Sequence, residues 1–272
     1  WKRAWQLYVA FVFLSVIYIA QIAYVAHHFD NPLFAEEMVV LHFFERPEVI
    51  LLEVLRLRFL LGNVDVLPLY IVLMLAFPAM LWLVMRQPWA ALALSVLIWS
   101  AAYFGGMNLK LYPVERDWFF NPFAWQLLFF IGAWCATSGS EWVKRIYRSD
   151  AVLAVCIAYL AVAFVIALTP WLPELNYRLP QWMLIFPLDK TNMSPLRLTH
   201  FLALTVVVVR FVPQDAAFLR SAWAYPIILC GQHSLEVFCL GVFLSFTAYF
   251  LLIEISPSLF MQLAVSAGGV AL

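Results

Sequence analysis

Long apolar runs separated by short polar stretches dominate this sequence. Crossing about 30 Å of hydrocarbon at 1.5 Å per residue takes about 20 residues. Seven runs approach that length: 4–26, 64–85, 88–104, 121–137, 151–170, 196–212 and 226–250. An eighth opens near Leu259 and continues toward the last residue. The pattern predicts an all-α, polytopic transmembrane helix bundle with about seven full spans and a partial eighth, in one membrane domain over 1–272. Trp1 and Leu272 both fall in apolar runs, so both ends are expected to be cut. No internal repeat of 20–50 residues is apparent.

Between the first two runs lies a long segment, 27–63. Pro47 suits the first turn of a helix, followed by Glu48 and later by Arg56 and Arg58, as the helix dipole favours. Val49, Leu52, Leu55 and Phe59 recur at helical spacing. One or two amphipathic helices are therefore expected here, lying on the outer membrane surface. Two further outer loops follow. The stretch 105–120 mixes glycine, charge and aromatics, and 171–195 carries Pro173, Pro180, Pro187 and Pro195, which predicts irregular backbone.

Composition agrees with the runs. The chain is 65% hydrophobic and 12% charged, whereas soluble domains carry about 25% charge. A soluble fold has no means of hiding so much apolar surface, so the lipid bilayer is the first partner. Zero formal net charge offers no basic field to nucleic acid. Cys135, Cys156, Cys230 and Cys239 all lie in apolar runs without metal-ligand spacing. Lysine and arginine are denser in the short segments on one side, including Arg86, Lys144, Arg145, Arg148, Arg210 and Arg220. That bias puts the N-terminus in the cytoplasm.

Ionisable groups at membrane depth cost about 2.5–3.5 kcal/mol each on insertion scales and mark function by default. Gln232-His233-Ser234-Leu235-Glu236 falls in the seventh run. On a continuous helix, His233 and Glu236 share a face, as do Gln232 and Glu236. A histidine beside a carboxylate can act as an oriented base, and a structural polar cluster is the other reading. Asp189, Lys190 and Asn192, followed by Arg197 and His200, predict a polar pocket at the outer end of the sixth run, or an exposed ion pair. Asn63 and Asp65 fit either a helix cap or the wall of that pocket. Asn121 precedes Pro122 as an ordinary helix start, and Gln126 lies about one turn deeper, in need of a partner. No phosphate-binding glycine loop, zinc-protease motif or nucleophile elbow occurs.

Four strings carry a resemblance: GNVDVLPLY at 62–70, GGMNLKLYPVERDWFFNPFAWQLLFFIGAW at 105–134, LDKTNMSPLRLTHFLAL at 188–204 and CGQHSLEVFCLGVFLSF at 230–246. They closely resemble the OpgC family, named for a membrane protein that succinylates osmoregulated periplasmic glucans. That family is similar to the integral-membrane acyltransferases that modify cell-surface polysaccharides. The resemblance implies a multi-pass protein of the bacterial inner membrane. It implies transfer of succinyl, or another acyl group, from a coenzyme A thioester to hydroxyls of a periplasmic glucan or related polysaccharide. Acyl-coenzyme A is then a donor substrate, with no bound cofactor or metal. The family's early helix with an Asp-His pair and a nearby Arg has no counterpart here, so the chain is expected to begin after the first helices.

Within that expectation His233, Glu236 and His200 are the candidate catalytic groups. Asp189, Lys190, Asn192, Arg197, Asn63, Asp65, Asn121, Gln126 and Gln232 are the candidate substrate contacts. A transporter or flippase with a His/Glu proton relay is the competing reading.

Overall fold

Helix α1, Lys2–His28, buries Ala4, Leu7, Phe11, Leu14, Tyr18, Ile22 and Val25, a stripe at three- and four-residue spacing, and leaves Trp5, Val9, Phe13 and Val16 exposed. A helix apolar on both faces keeps its outer face for lipid. The structure, a computed structural model, describes residues 1–29, 43, 45–113, 116–137, 140–168, 188–213 and 215–271. The expected irregular loop with Pro173, Pro180 and Pro187 lies outside the described residues, as does much of the segment after α1.

Further helices follow in order: α2 (Pro47–Leu55), α3 (Val66–Arg86), α4 (Pro88–Gly105), α5 (Pro122–Ala136), α6 (Ser140–Arg148), α7 (Asp150–Ala167), α8 (Pro195–Phe211), α9 (Tyr225–Gln232), α10 (Ser234–Phe250) and α11 (Leu259–Ala271). A 3-10 turn, Ala217–Arg220, precedes α9, and a π-helical turn, Leu251–Ile255, extends α10. No strand occurs among the described residues, and an isolated bridge joins Lys110 to Asp117. Proline opens α2, α4, α5 and α8 within their first two positions, where its missing N–H costs nothing.

Among the described residues, five helical stretches are long and apolar enough to cross a membrane: Lys2–His28, Val66–Arg86, Pro88–Gly105, Asp150–Ala167 and Ser234–Ile255. Pro122–Ala136 and Leu259–Ala271 are apolar but shorter. At 15 residues, α5 reaches only about 22 Å. The run expected at 226–250 is corrected by the structure. It divides at His233 (φ −103°, ψ 35°), which ends α9 and begins α10. Two local signals account for the division. Gly231 weakens the last turn of α9, and Glu236 in the first turn of α10 suits a helix N-terminus.

The chain forms two compact units. The first comprises 1–71, 111–114 and 217–272, and the second 72–110 and 115–216. In the first unit, α1 meets α10 edge-on through Tyr18 and Phe246, whose ring centroids are 5.3 Å apart. It meets α2 through the Tyr8 hydroxyl, which donates to the Leu55 carbonyl at 2.9 Å. Helix α2 starts at Pro47 as its sequence indicates, but buries Ile50, Glu53 and Val54, whereas Leu52 and Leu55 are exposed. Val49, Leu52 and Leu55 of the expected spacing lie within α2, whereas Phe59 falls beyond it, because the helix stops at Leu55 and Leu57 turns to φ 59°. Phe59 is buried from the turn that follows.

In the second unit, α4 and α5 lie together, as do α7 and α8, with α6 touching α5, α7 and α8. Val84, Ala91 and Phe130 form one core cluster, and Ala102, Ala124, Leu127 and Met193 another. Gln126 finds the partner its position demands. Ser95 Oγ donates to Gln126 Oε1 at 2.7 Å, and Gln126 Nε2 donates to the Ser95 carbonyl at 2.8 Å and the Phe123 carbonyl at 3.2 Å. A side-chain amide inside an apolar bundle is thereby satisfied at both ends.

Candidate functional site

The second unit gathers its polar residues where α5 and α8 begin. Asn121 caps α5, its Oδ1 accepting from the Phe123 amide at 3.0 Å. Its Nδ2 donates to the Met107 carbonyl at 2.7 Å and to Asn192 Oδ1 at 2.8 Å. Its backbone amide donates to the Thr191 carbonyl at 3.2 Å. The residue is fully buried, at 0% exposure, so each of these bonds forms away from water.

Asp189 organises the loop entering α8. Its Oδ1 accepts from the Thr191 and Asn192 amides at 2.8 and 3.3 Å, and its Oδ2 accepts from Asn192 Nδ2 at 3.1 Å. This is the Asx-turn chemistry that aspartate brings to loops. The indole of Trp125 donates to the Lys190 and Thr191 carbonyls, both at 3.2 Å, and that of Trp99 to the Met193 carbonyl at 3.1 Å. Met193, at φ 48°, is held in left-handed backbone that a methionine seldom adopts. Its side chain, 1% exposed, fills the core beside Ala102 and Leu127. Ser194 Oγ then caps α8 by accepting from the Arg197 amide at 3.4 Å. Asp189 and Asn192 meet through their side chains, and Asn121, expected only to start a helix, joins them through Asn192. Their hydrogen-bonding capacity goes largely into fixing the loop, and Lys190 remains exposed beside them.

In the first two turns of α8, Arg197 and His200 line a cavity of about 280 Å³ between α7 and α8. Val162, Ala163, Ile166, Ala167, Leu188 and Leu196 make its apolar wall, and Tyr159 completes the described lining. The Tyr159 hydroxyl donates to the Leu196 carbonyl at 3.0 Å, and its ring lies 6.3 Å from that of His200. Arg197 Nε is buried without a hydrogen-bond partner among the described residues. A buried nitrogen left without a partner carries a desolvation cost that an acceptor would relieve. Tyr159 and the α7 wall are site residues that the sequence reading did not single out. An apolar run offers no sign of which of its residues face a partner helix.

The remaining candidates lie in the first unit. Asn63 Nδ2 donates to the Tyr18 hydroxyl at 2.9 Å. Asp65 is buried immediately before α3. Burial pushes its carboxyl up to about 6, against the pull of the Asp65 and Val66 amides that hydrogen-bond to it. Gln232, His233 and Glu236 are exposed around the interruption between α9 and α10. The stretch able to cross a membrane begins at Ser234, so these three stand at the beginning of a span, and the expected continuous stripe across its interior is not formed. Among the described residues, no group of three or more His, Cys, Asp or Glu side chains is arranged to hold a metal ion.

Apolar helices of membrane-crossing length, joined by a loop whose polar groups are satisfied internally, define a multi-pass α-helical membrane protein. The family model described as OpgC protein matches residues 1–272, the whole chain, and the chain belongs to the OpgC family. No curated protein matches it, and no solved structure does. Membership of that family points to an acyltransferase-like activity.

Proposed function

We propose that this protein is a membrane-bound O-acyltransferase that moves succinyl, or another acyl group, from a coenzyme A thioester to hydroxyls of a periplasmic glucan or related polysaccharide. It spans the bacterial inner membrane about seven times with a partial eighth span, its N-terminus in the cytoplasm. The observation that carries the reading beyond family membership is the cavity between α7 and α8, whose largely apolar lining also holds Arg197, His200 and Tyr159. A dicarboxylic acyl group has that same character, a short hydrocarbon ending in a carboxylate.

In this reading Arg197 holds the distal carboxylate of the acyl group. His200 takes the proton of the attacking sugar hydroxyl. The hydroxyl oxygen adds to the thioester carbonyl, the carbon–sulfur bond breaks, and the imidazolium returns its proton to the departing thiolate. Asp189, Asn192 and Asn121 set the height and direction of the start of α8, whose first two turns carry both side chains. His200→Ala in the full-length protein tests the chemistry, with glucan acylation read by mass spectrometry. A loss of about 100-fold or more is expected of a general base, and undiminished acylation in a correctly inserted variant removes His200 from the mechanism.

A second reading, a proton-coupled transporter, draws on the helix interruption at His233 with Gln232 and Glu236 beside it. Interrupted helices frame substrate and proton sites in such proteins. Proton-dependent flux into vesicles with no acylated product would favour it.

A further inference from the structure

Helix α6 stands at the opposite end of the second unit from Arg197. By helical rotation, Trp142, Val143, Ile146 and Tyr147 occupy one side, with Glu141, Lys144, Arg145 and Arg148 on the other. Val143 and Tyr147 are half-buried against the neighbouring helices, while Trp142 and Ile146 remain 56% and 41% exposed. Arg145 flanks that exposed apolar pair. The α6 arrangement is that of a helix lying in the plane of a membrane interface.

Two further observations concern the same end. Trp89 of α4 contacts Trp134 of α5 and Trp142 of α6, with ring centroids 5.3 and 6.2 Å apart. Tryptophan clusters of this kind sit at headgroup level. The local acids are also largely engaged. Glu141 pairs with Lys144 at 2.8 Å, and Asp150 with Arg210 at 2.6 Å, while Arg210 also donates to the Arg148 carbonyl at 3.3 Å. Asp215 beyond α8 forms no ion pair among the described residues. Neither do Arg145 and Arg148, although Arg148 acts on the Glu141 carboxylate at longer range, so α6 presents an excess of positive charge beside an exposed tryptophan.

We propose that α6 is a binding site for an anionic phospholipid. Arg145 and Arg148 take the headgroup phosphate, and Trp142 and Ile146 lie against the upper acyl chain. The same cations suit any phosphate, including that of a soluble nucleotide. The exposed apolar pair is what selects a lipid, because it has no use for a freely soluble anion.

The test is native mass spectrometry of the full-length protein in detergent, offered phosphatidylglycerol or phosphatidylcholine, with Arg145→Gln/Arg148→Gln alongside. The wild type should retain phosphatidylglycerol over phosphatidylcholine by roughly 30-fold, from about two basic side chains near the headgroup. The double glutamine variant should lose that preference, and Arg145→Lys/Arg148→Lys should keep most of it. Trp142→Ala should weaken retention of phosphatidylglycerol without abolishing the preference. Equal retention of both lipids by the wild type would overturn the proposal, as would an unchanged preference in the glutamine variant. Displacement of the lipid by millimolar coenzyme A would assign the site to a soluble phosphate and overturn it too.

Discussion

Asn121 and Asn192, 71 residues apart in sequence, meet through a hydrogen bond of 2.8 Å from Nδ2 to Oδ1. One amide caps α5 and the other is held by Asp189 in the loop entering α8, so this contact ties two helix starts together. Replacing Asn121 with Leu would strand the Met107 carbonyl, the Phe123 amide and Asn192 at once. A loss of about 2–4 kcal/mol is expected, since buried groups left without partners carry about 1–3 kcal/mol each. Asn192→Ala should cost less, because its partner Asn121 keeps its other bonds. A thermal unfolding series in detergent checks the order, and equal costs would show that the joint is not centred on Asn121.

Arg197→Gln should impair transfer of a dicarboxylic acyl group more than transfer of acetyl. A charge-assisted hydrogen bond contributes about 1.5–3 kcal/mol, so succinyl transfer should fall roughly 10- to 100-fold relative to acetyl. Competition between the two donors in one reaction measures the ratio directly. A ratio unchanged from wild type would exclude a carboxylate-binding role for Arg197.

Asp65 gives a pH dependence with a definite sign. Its folded pKa is raised from 3.8 to about 6, so the folded state binds the proton more tightly than the unfolded chain does. The group therefore favours folding when protonated, and that advantage is lost as pH rises from about 4 to about 6. Asp65→Asn should raise the Tm at pH 7.5 by roughly 2–4 °C, equivalent to about 1 kcal/mol, and by less at pH 4.5. A shift of the same size at both pH values would mean that Asp65 is ionised throughout.

Glu53 is buried on α2 and meets Arg56 at 3.3 Å and Arg58 at 3.5 Å, both of which are substantially exposed. Removing the arginines leaves a carboxylate in an apolar setting, whereas removing the carboxylate leaves two cations in water. Arg56→Ala/Arg58→Ala should therefore destabilise by about 1–2 kcal/mol, and Glu53→Met should be close to neutral. Chemical denaturation of the two variants decides the matter, and the reverse order would refute the asymmetry.

Much of the helical architecture was legible because α1, α3, α4 and α7 nearly coincide with apolar runs, and lipid contact tolerates no alternative. The start of α5 was legible from Asn121 and Pro122, and the gathering of Asp189 with Asn192 from their spacing. The division at His233 was missed because apolar length outweighed the local signals of Gly231 and Glu236. The cavity was legible only on its α8 side. Arg197 and His200 stand out in an apolar segment, while Val162, Ala163 and Ile166 become wall residues only through the pairing of α7 with α8, which composition does not encode. The role of Asn121 as the centre of the joint was also hidden, since its partners at Met107 and Asn192 lie in two different loops.

The reciprocal bonds between Ser95 and Gln126 have a consequence for assembly. Sliding α5 along α4 by one residue, about 1.5 Å, would separate the amide from the hydroxyl and carbonyl that complete it. The surrounding hydrocarbon supplies no substitute. The two helices thus have a single vertical alignment, fixed below the level of the loops. Asn121 lies five residues before Gln126 and inherits its elevation from that notch, and the first turn of α8 inherits it in turn.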